Sequence, residues 1–165
     1  MNKFLHWLTR NKAPDLIIYA GGAPYIRRWW LLPKDKFPIN IYLHHMKRDD
    51  YERSLHDHPW WFFSIILSGG YLELMPRNPA YWRWKLKHYP GSSWKFLYEN
   101  FLIRKERKPG MIIFRRAVSP HRLELRDLVL GSWSICITGR PRRKWGFYDM
   151  GGWMEASAYI QKHYT

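Results

Sequence analysis

Glycine and proline cut this chain into short apolar or alternating runs, and that punctuation constrains the fold more than any other feature. Ile39 to Met46 alternates, with Ile39, Ile41, Leu43 and His45 on one side and Asn40, Tyr42, His44 and Met46 on the other. Leu55 to Leu67 is mostly apolar and ends at Ser68-Gly69-Gly70, and Tyr71 to Met75 stops at Pro76. A glycine turn between two apolar runs is a hairpin signal. Further strands are expected at Asp15–Ala20, Pro24–Leu32, Met111–Arg115, His121–Arg126, Ser132–Thr138 and Lys144–Tyr148, the last of the series. Tyr81 to Lys87 alternates aromatic or apolar with basic residues and reads as a half-exposed strand. Trp94 to Arg104 fits one long strand or two short ones.

Helices are expected only at the two ends, over residues 2–10 behind an Asn2 cap and over Met154–His163. The chain has 165 residues, enough for one domain with a real core. Its aromatics (11 Trp, 11 Tyr, 8 Phe) are spread along the chain instead of forming helical stripes. About ten short strands predict an all-β sandwich or barrel spanning residues 1–165 as one domain.

Lys and Arg total 28 against 13 Asp and Glu, a net charge of +15. That balance points to an anionic partner, either a small anionic molecule or nucleic acid on a basic surface, and says nothing about fold. No helix-turn-helix, zinc-finger or RNP signature accompanies it. The one cysteine, Cys136, lies in an apolar run and excludes an intrachain disulfide. No run approaches the roughly 18 apolar residues of a membrane span, and no cleavage site follows the N-terminus, so a cytoplasmic protein without membrane contact is expected. A homodimer is compatible with this composition. Phosphate loops, nucleophile elbows and Cys-His pairs are missing from the sequence.

The chemistry concentrates in His56 and His58, which project to the same side of an extended chain. Two imidazoles on one side of a strand are half of a metal site, and His121 is the candidate third ligand. His56, His58, Trp60 and Phe62 share one face, as do His121, Leu123 and Leu125. Asp57, between the two ligands, must point the opposite way. Glu73, flanked by Leu72 and Leu74, is a candidate general acid or base with a pKa raised by burial, unless it faces solvent. Tyr42 and Trp60 are candidate pocket walls, Arg115 and Arg116 candidate contacts for an anionic substrate. Arg53 is a candidate partner for Asp49 or Asp50.

At these residues the chain resembles the cupin superfamily, small jelly-roll β-barrels. Their first motif runs Gly-x5-His-x-His-x3-4-Glu-x6-Gly. His56, His58 and Gly69 occupy its places, while Asp50 stands at the first glycine and Phe62 at the glutamate. In the second motif, Gly-x5-Pro-x-Gly-x2-His-x3-Asn, Gly110 and His121 match, and Arg116, Val118 and Leu125 replace Pro, Gly and Asn. The likeness spans roughly residues 37–148, the expected barrel, and the Leu-His-Asp-His-Pro-Trp string looks like small cupins of bacteria and their phages.

The resemblance implies a cupin-like jelly roll with a divalent transition metal held by His56, His58 and His121. Without the glutamate the site resembles that of thiol dioxygenases, which makes Fe2+ the first choice; Zn2+, Mn2+ and Ni2+ also suit imidazole. The dipositive charge is left uncompensated, which favours an anionic ligand. His44 is the second catalytic candidate: the resemblance favours it as fourth ligand or hydrogen-bond partner, whereas alternation turns His45 toward the Ile39 face. Three readings follow: a metal-dependent oxygenase or isomerase of a small anionic substrate, a non-catalytic ligand-binding module, and a nucleic-acid binder using Tyr81–Lys87 and Arg140–Lys144.

Overall fold

The alternating run read from the sequence is strand β3 (Ile39–Met46) at the centre of a six-stranded antiparallel sheet. The computed structural model describes residues 3–20, 22–50, 54–88, 94–149 and 151–164. The expected Asn2 cap and the Arg53 pairing lie outside the described residues. A short helix α1 (Lys3–Thr9) leads into β1 (Leu16–Ala20) and β2 (Ala23–Trp30), which extend the sheet ahead of β3. The far side of β3 pairs with β10 (Ser132–Gly139), then β5 (Phe62–Ser68) and the edge strand β8 (Ile112–Arg115).

The second layer is built from two three-stranded sheets. One contains β4 (Leu55–His56), β11 (Gly146–Asp149) and β12 (Gly152–Glu155). The other contains β6 (Tyr71–Pro76), β7 (Leu102–Arg107) and β9 (Arg122–Leu125). A single antiparallel bridge joins them between His56 and His121, whose amides exchange hydrogen bonds of 2.8 and 2.9 Å. Two layers of antiparallel strands facing each other make a single-domain jelly roll, as expected.

Several local expectations are overturned. The Gly69-Gly70 turn makes no hairpin, because β5 and β6 lie in different sheets. Gly69 sits at φ +75°, and a Cβ there would stand 2.1 Å from the Gly131 carbonyl oxygen. The turn therefore carries the chain across the barrel where a side chain has no room. The histidine strand is also not continuous: His56 ends β4, and His58 lies in the connection before β5. After β11 the chain makes one more strand, β12, before the expected closing helix, α4 (Ala156–Tyr164).

Helices are not confined to the ends, since α2 (Pro79–His88) and α3 (Trp94–Phe101) stand between β6 and β7. The Asn78 side-chain oxygen accepts hydrogen bonds from the amides of Ala80 and Tyr81 at 3.0 and 3.1 Å, and Pro79 takes the first helical position. Trp82 and Leu86, four apart, are both fully buried, while Trp84 stays 45% exposed. A strand would have put all three on one face. Trp82, Leu86 and Leu97 cover Leu55, Leu74, Leu102 and Tyr148 on the outside of the second layer. On the outside of the first layer, Leu5 of α1 packs with Trp29, Leu43 and Trp133. No helix among the described residues is long and apolar enough to cross a membrane.

Two charged or titratable side chains outside the histidine cluster hold this frame. Asp57 is fully buried and points away from the cluster. It accepts from the Gly146 amide at 2.8 Å, Trp153 Nε1 at 3.0 Å and Tyr148 Oη at 3.3 Å, and pairs with Arg143 at 2.8 Å. Four donors from the β11–β12 region thus meet one carboxylate. Asp57→Ala leaves them without it and should destabilise the fold by about 3–5 kcal/mol, read from the shift in urea midpoint.

His45 is stacked on Trp133, with ring centroids 3.9 Å apart, and its Nε2 is 3.0 Å from the Leu130 carbonyl. Burial lowers its pKa from 6.5 to about 4 against the pull of that carbonyl, with the charges of Lys47 and Arg27 helping. The unfolded chain takes up this proton near pH 6.5 and the folded chain only near 4. Stability from His45 is therefore whole above pH 6.5 and drains as pH falls from there toward 4. Urea midpoints measured across that window should fall less steeply for His45→Phe than for the wild type.

Candidate functional site

The inner faces of the two layers enclose a cavity of about 120 Å³. The first layer contributes Arg28 from β2, His44 from β3, Cys136 from β10 and Phe62 from β5; the second contributes His56, His121 and Leu123. His58 and Trp60, from the connection between β4 and β5, complete the wall at one end. Alternation from His56 to Phe62 therefore directs all four residues inward, even though the strand breaks between them.

The three candidate ligands meet. One donor atom from each of His56, His58 and His121 lies within 4.8 Å of the others. The Nε2 atoms of His58 and His121 are 2.8 Å apart. Ligand nitrogens about 2.1 Å from one ion stand about 3.0 Å apart at right angles and about 4.2 Å apart when opposed. The close pair has the separation of adjacent ligands, and His56 completes the group of three. Its chemistry, three imidazoles and no thiolate, suits a divalent transition metal.

Two of the three rings, His121 and His56, have a carboxylate behind the outer nitrogen. His121 Nδ1 is 2.9 Å from Glu73 Oε1. An ionised carboxylate only accepts, so His121 carries a proton on Nδ1 and turns Nε2 into the cavity. His56 Nδ1 is 3.5 Å from Asp50 Oδ2, which also accepts from the Leu123 amide at 2.6 Å; Tyr25 Oη donates to the other Asp50 oxygen. Burial lowers the His56 pKa to about 4, opposed by Asp50 and assisted by His121. Burial, then the charges of His121 and His56, hold His58 well below its ordinary value. The His56 and His58 rings are therefore neutral at physiological pH, the form that binds a metal.

Glu73 is fully buried on β6, not solvent-facing. Burial alone would raise its pKa, but the hydrogen bond and charge of His121, with those of Arg115, outweigh it and hold the carboxyl well below the usual range. The expected rise does not occur. Arg107 Nε and Arg115 Nε donate to Glu73 at 2.8 Å each. Arg115 stands on β8 of the first layer, so its pair with Glu73 fastens one edge of the barrel. Its guanidinium reaches Glu73 and the Phe114 carbonyl.

The remaining candidates separate cleanly. His44 faces the cavity and accepts from Arg28 Nε at 2.8 Å, whereas His45 packs on the outer face. Burial, then the charge of Arg28, depresses the His44 pKa well below its ordinary value. Tyr42 lies beneath, its ring stacked on His44 at 5.6 Å and packed with Phe62 and Cys136. Phe62, at the place of the glutamate in the cupin motif, fills that position with a ring 4.9 Å from His58.

Two participants escaped the sequence reading. Asp50 was visible as a substitute for a motif glycine and as a candidate partner of Arg53, not as a group behind His56. Arg28 was one of two adjacent arginines on a strand with apolar residues on both faces, so alternation carried no sign of which turned inward.

No protein-family model and no curated protein matches the sequence. Among solved structures, a cupin-2 domain protein from Rhodospirillum rubrum superposes with a TM-score of 0.55 at 12% identity, over 90% of this chain and 81% of its own. Fe(II) HppE in complex with substrate matches at a TM-score of 0.51 and 12% identity over 78% of this chain. The chain spans 57% of that HppE chain. Fe(II)-HppE with the alternative substrate (S)-1-HPP gives 0.51 and 13%, over 78% of this chain and 56% of that one. Identities this low speak to fold alone. The strand layers, the histidines inside them and these likenesses agree: this chain is a jelly-roll barrel of the cupin fold.

Proposed function

We propose that this protein is a metal-dependent enzyme, of oxygenase or isomerase type, acting on a small anionic molecule inside the barrel. The observation that carries the reading is the convergence of three histidine donor atoms within 4.8 Å of one another at a cavity wall. His56, His58 and His121 would hold the metal, with Fe2+ the first choice and Zn2+, Mn2+ or Ni2+ also suited. When bound, such an ion supplies Lewis acidity and, as iron, redox chemistry at positions the three rings leave open.

The chain's own groups would do the rest. Glu73 keeps the His121 proton on Nδ1 and orients the ring; in this reading it positions a ligand instead of moving substrate protons. Arg115 is spent on Glu73 and serves the site through it. His44, whose Nε2 accepts from Arg28, carries its proton on Nδ1 and is a donor. Trp60 and Phe62 supply apolar wall that excludes water, which strengthens every charge in the cavity.

Elemental analysis of protein purified without an affinity tag and reconstituted with Fe2+ tests the reading. The wild type should hold about one equivalent of metal and a His56→Ala/His58→Ala variant less than about a tenth of that. A wild type that stays metal-free after reconstitution overturns the proposal. Glu73→Gln should weaken metal binding roughly 10–100-fold in competition with a chelator, because the His121 tautomer is no longer imposed by a charge.

A further inference from the structure

We propose that Arg28 is the seat of a small oxyanion, a carboxylate or phosphate group, held in the barrel cavity between its guanidinium and the three histidines. This names the charged group of the substrate for the site above and rests on that reading only for what lies at the histidine end.

Arg28 stands on β2 directly across from His44 on β3, and both side chains line the cavity. Among the described residues one of its five N–H bonds finds an acceptor, donated from Nε to His44. The guanidinium carbon lies 4.6 Å from the Tyr42 ring centroid and 5.8 Å from that of Trp30. Aromatic rings against the guanidinium fix its orientation, and its edge is the part that binds an oxyanion bidentately.

What sets this arginine apart is its missing counter-charge. Arg107 and Arg115 share Glu73, and Arg143 has Asp57. Among the described residues no carboxylate lies within 4.0 Å of Arg28. Asp50, behind His56 and outside the cavity lining, is committed to Tyr25, the Leu123 amide and His56. A guanidinium drawn out of water without a partner is costly, and burial indeed lowers its pKa. The charge is also felt at His58, across the cavity. Ser134, next to His44 across the sheet, and Thr138 add hydroxyls to the wall between them.

Volume bounds the ligand. A cavity of about 120 Å³ is close to the roughly 150 Å³ that accommodates a benzene ring, so the substrate is small, with its oxyanion at the Arg28 end.

The test uses the metal-free protein, which separates this proposal from the metal reading. Inorganic phosphate and propionate are titrated in turn at constant ionic strength into 15N-labelled protein, with propionamide as the neutral control. The Arg28 Nε–H and His44 ring signals should shift saturably with phosphate, which assigns a phosphate-bearing substrate, or with propionate, which assigns a carboxylate. Propionamide should leave them still. Arg28→Met should weaken the binding at least tenfold, and Arg28→Lys less. Signals that move with neither anion, or with propionamide as strongly as with propionate, overturn the proposal. So does an affinity unchanged in a folded Arg28→Met. Should that variant not fold, the wild-type titration alone decides. Anion binding that appears only with added Zn2+, and equally in Arg28→Met, also sinks Arg28 while leaving the metal site standing.

Discussion

One buried carboxylate, Glu73, ties the two layers of the barrel to each other and to the histidine cluster. It lies between a ring on β9's approach, a guanidinium on β7 and another on β8 of the facing layer. A lone carboxylate in that interior would be driven to its neutral form, and the three donors reverse the outcome. The same contacts perform two jobs. They fasten the layers along one side, and they set which nitrogen of His121 looks into the cavity. Structure and candidate chemistry are thus coupled through one group, and neither can be altered there without the other.

The neutral rings of His56 and His58 and the ring of His121 line the cavity together with Arg28, which is cushioned by Tyr42 and Trp30. Apolar and hydroxyl side chains also line it, with Cys136 among them, its thiol pushed up to about 12 by burial and so kept protonated. Among the described residues no carboxylate lines this cavity. That is the electrostatic basis for expecting an anion, and it is a more local argument than the net charge of the chain.

The histidine cluster was legible because cupin-like spacing brackets it with glycines, and because period-two alternation survives a break in the strand. Alternation also placed Asp57 outside, where it anchors β11 and β12. The central strands were legible for the same reason. What failed is instructive. Trp82, Trp84 and Leu86 alternate, yet Trp82 and Leu86 are equally one helical turn apart, and only the Asn78-Pro79 cap breaks the tie. Gly69-Gly70 has the composition of a hairpin turn, but composition cannot separate a turn within a sheet from a passage between sheets. Glu73 and Arg28 depend on partners from distant strands. Their setting, ionised in one case and uncompensated in the other, exists only after the layers meet.

The bridge between His56 and His121 has a consequence for how the barrel behaves. The second layer is two half-sheets, and their seam runs through the very residues whose rings converge in the cavity. Backbone holds the seam on one side; whatever ties the rings together holds it from within. A ligand gripping both rings would therefore also span the seam, a clasp on the wall it is bound to.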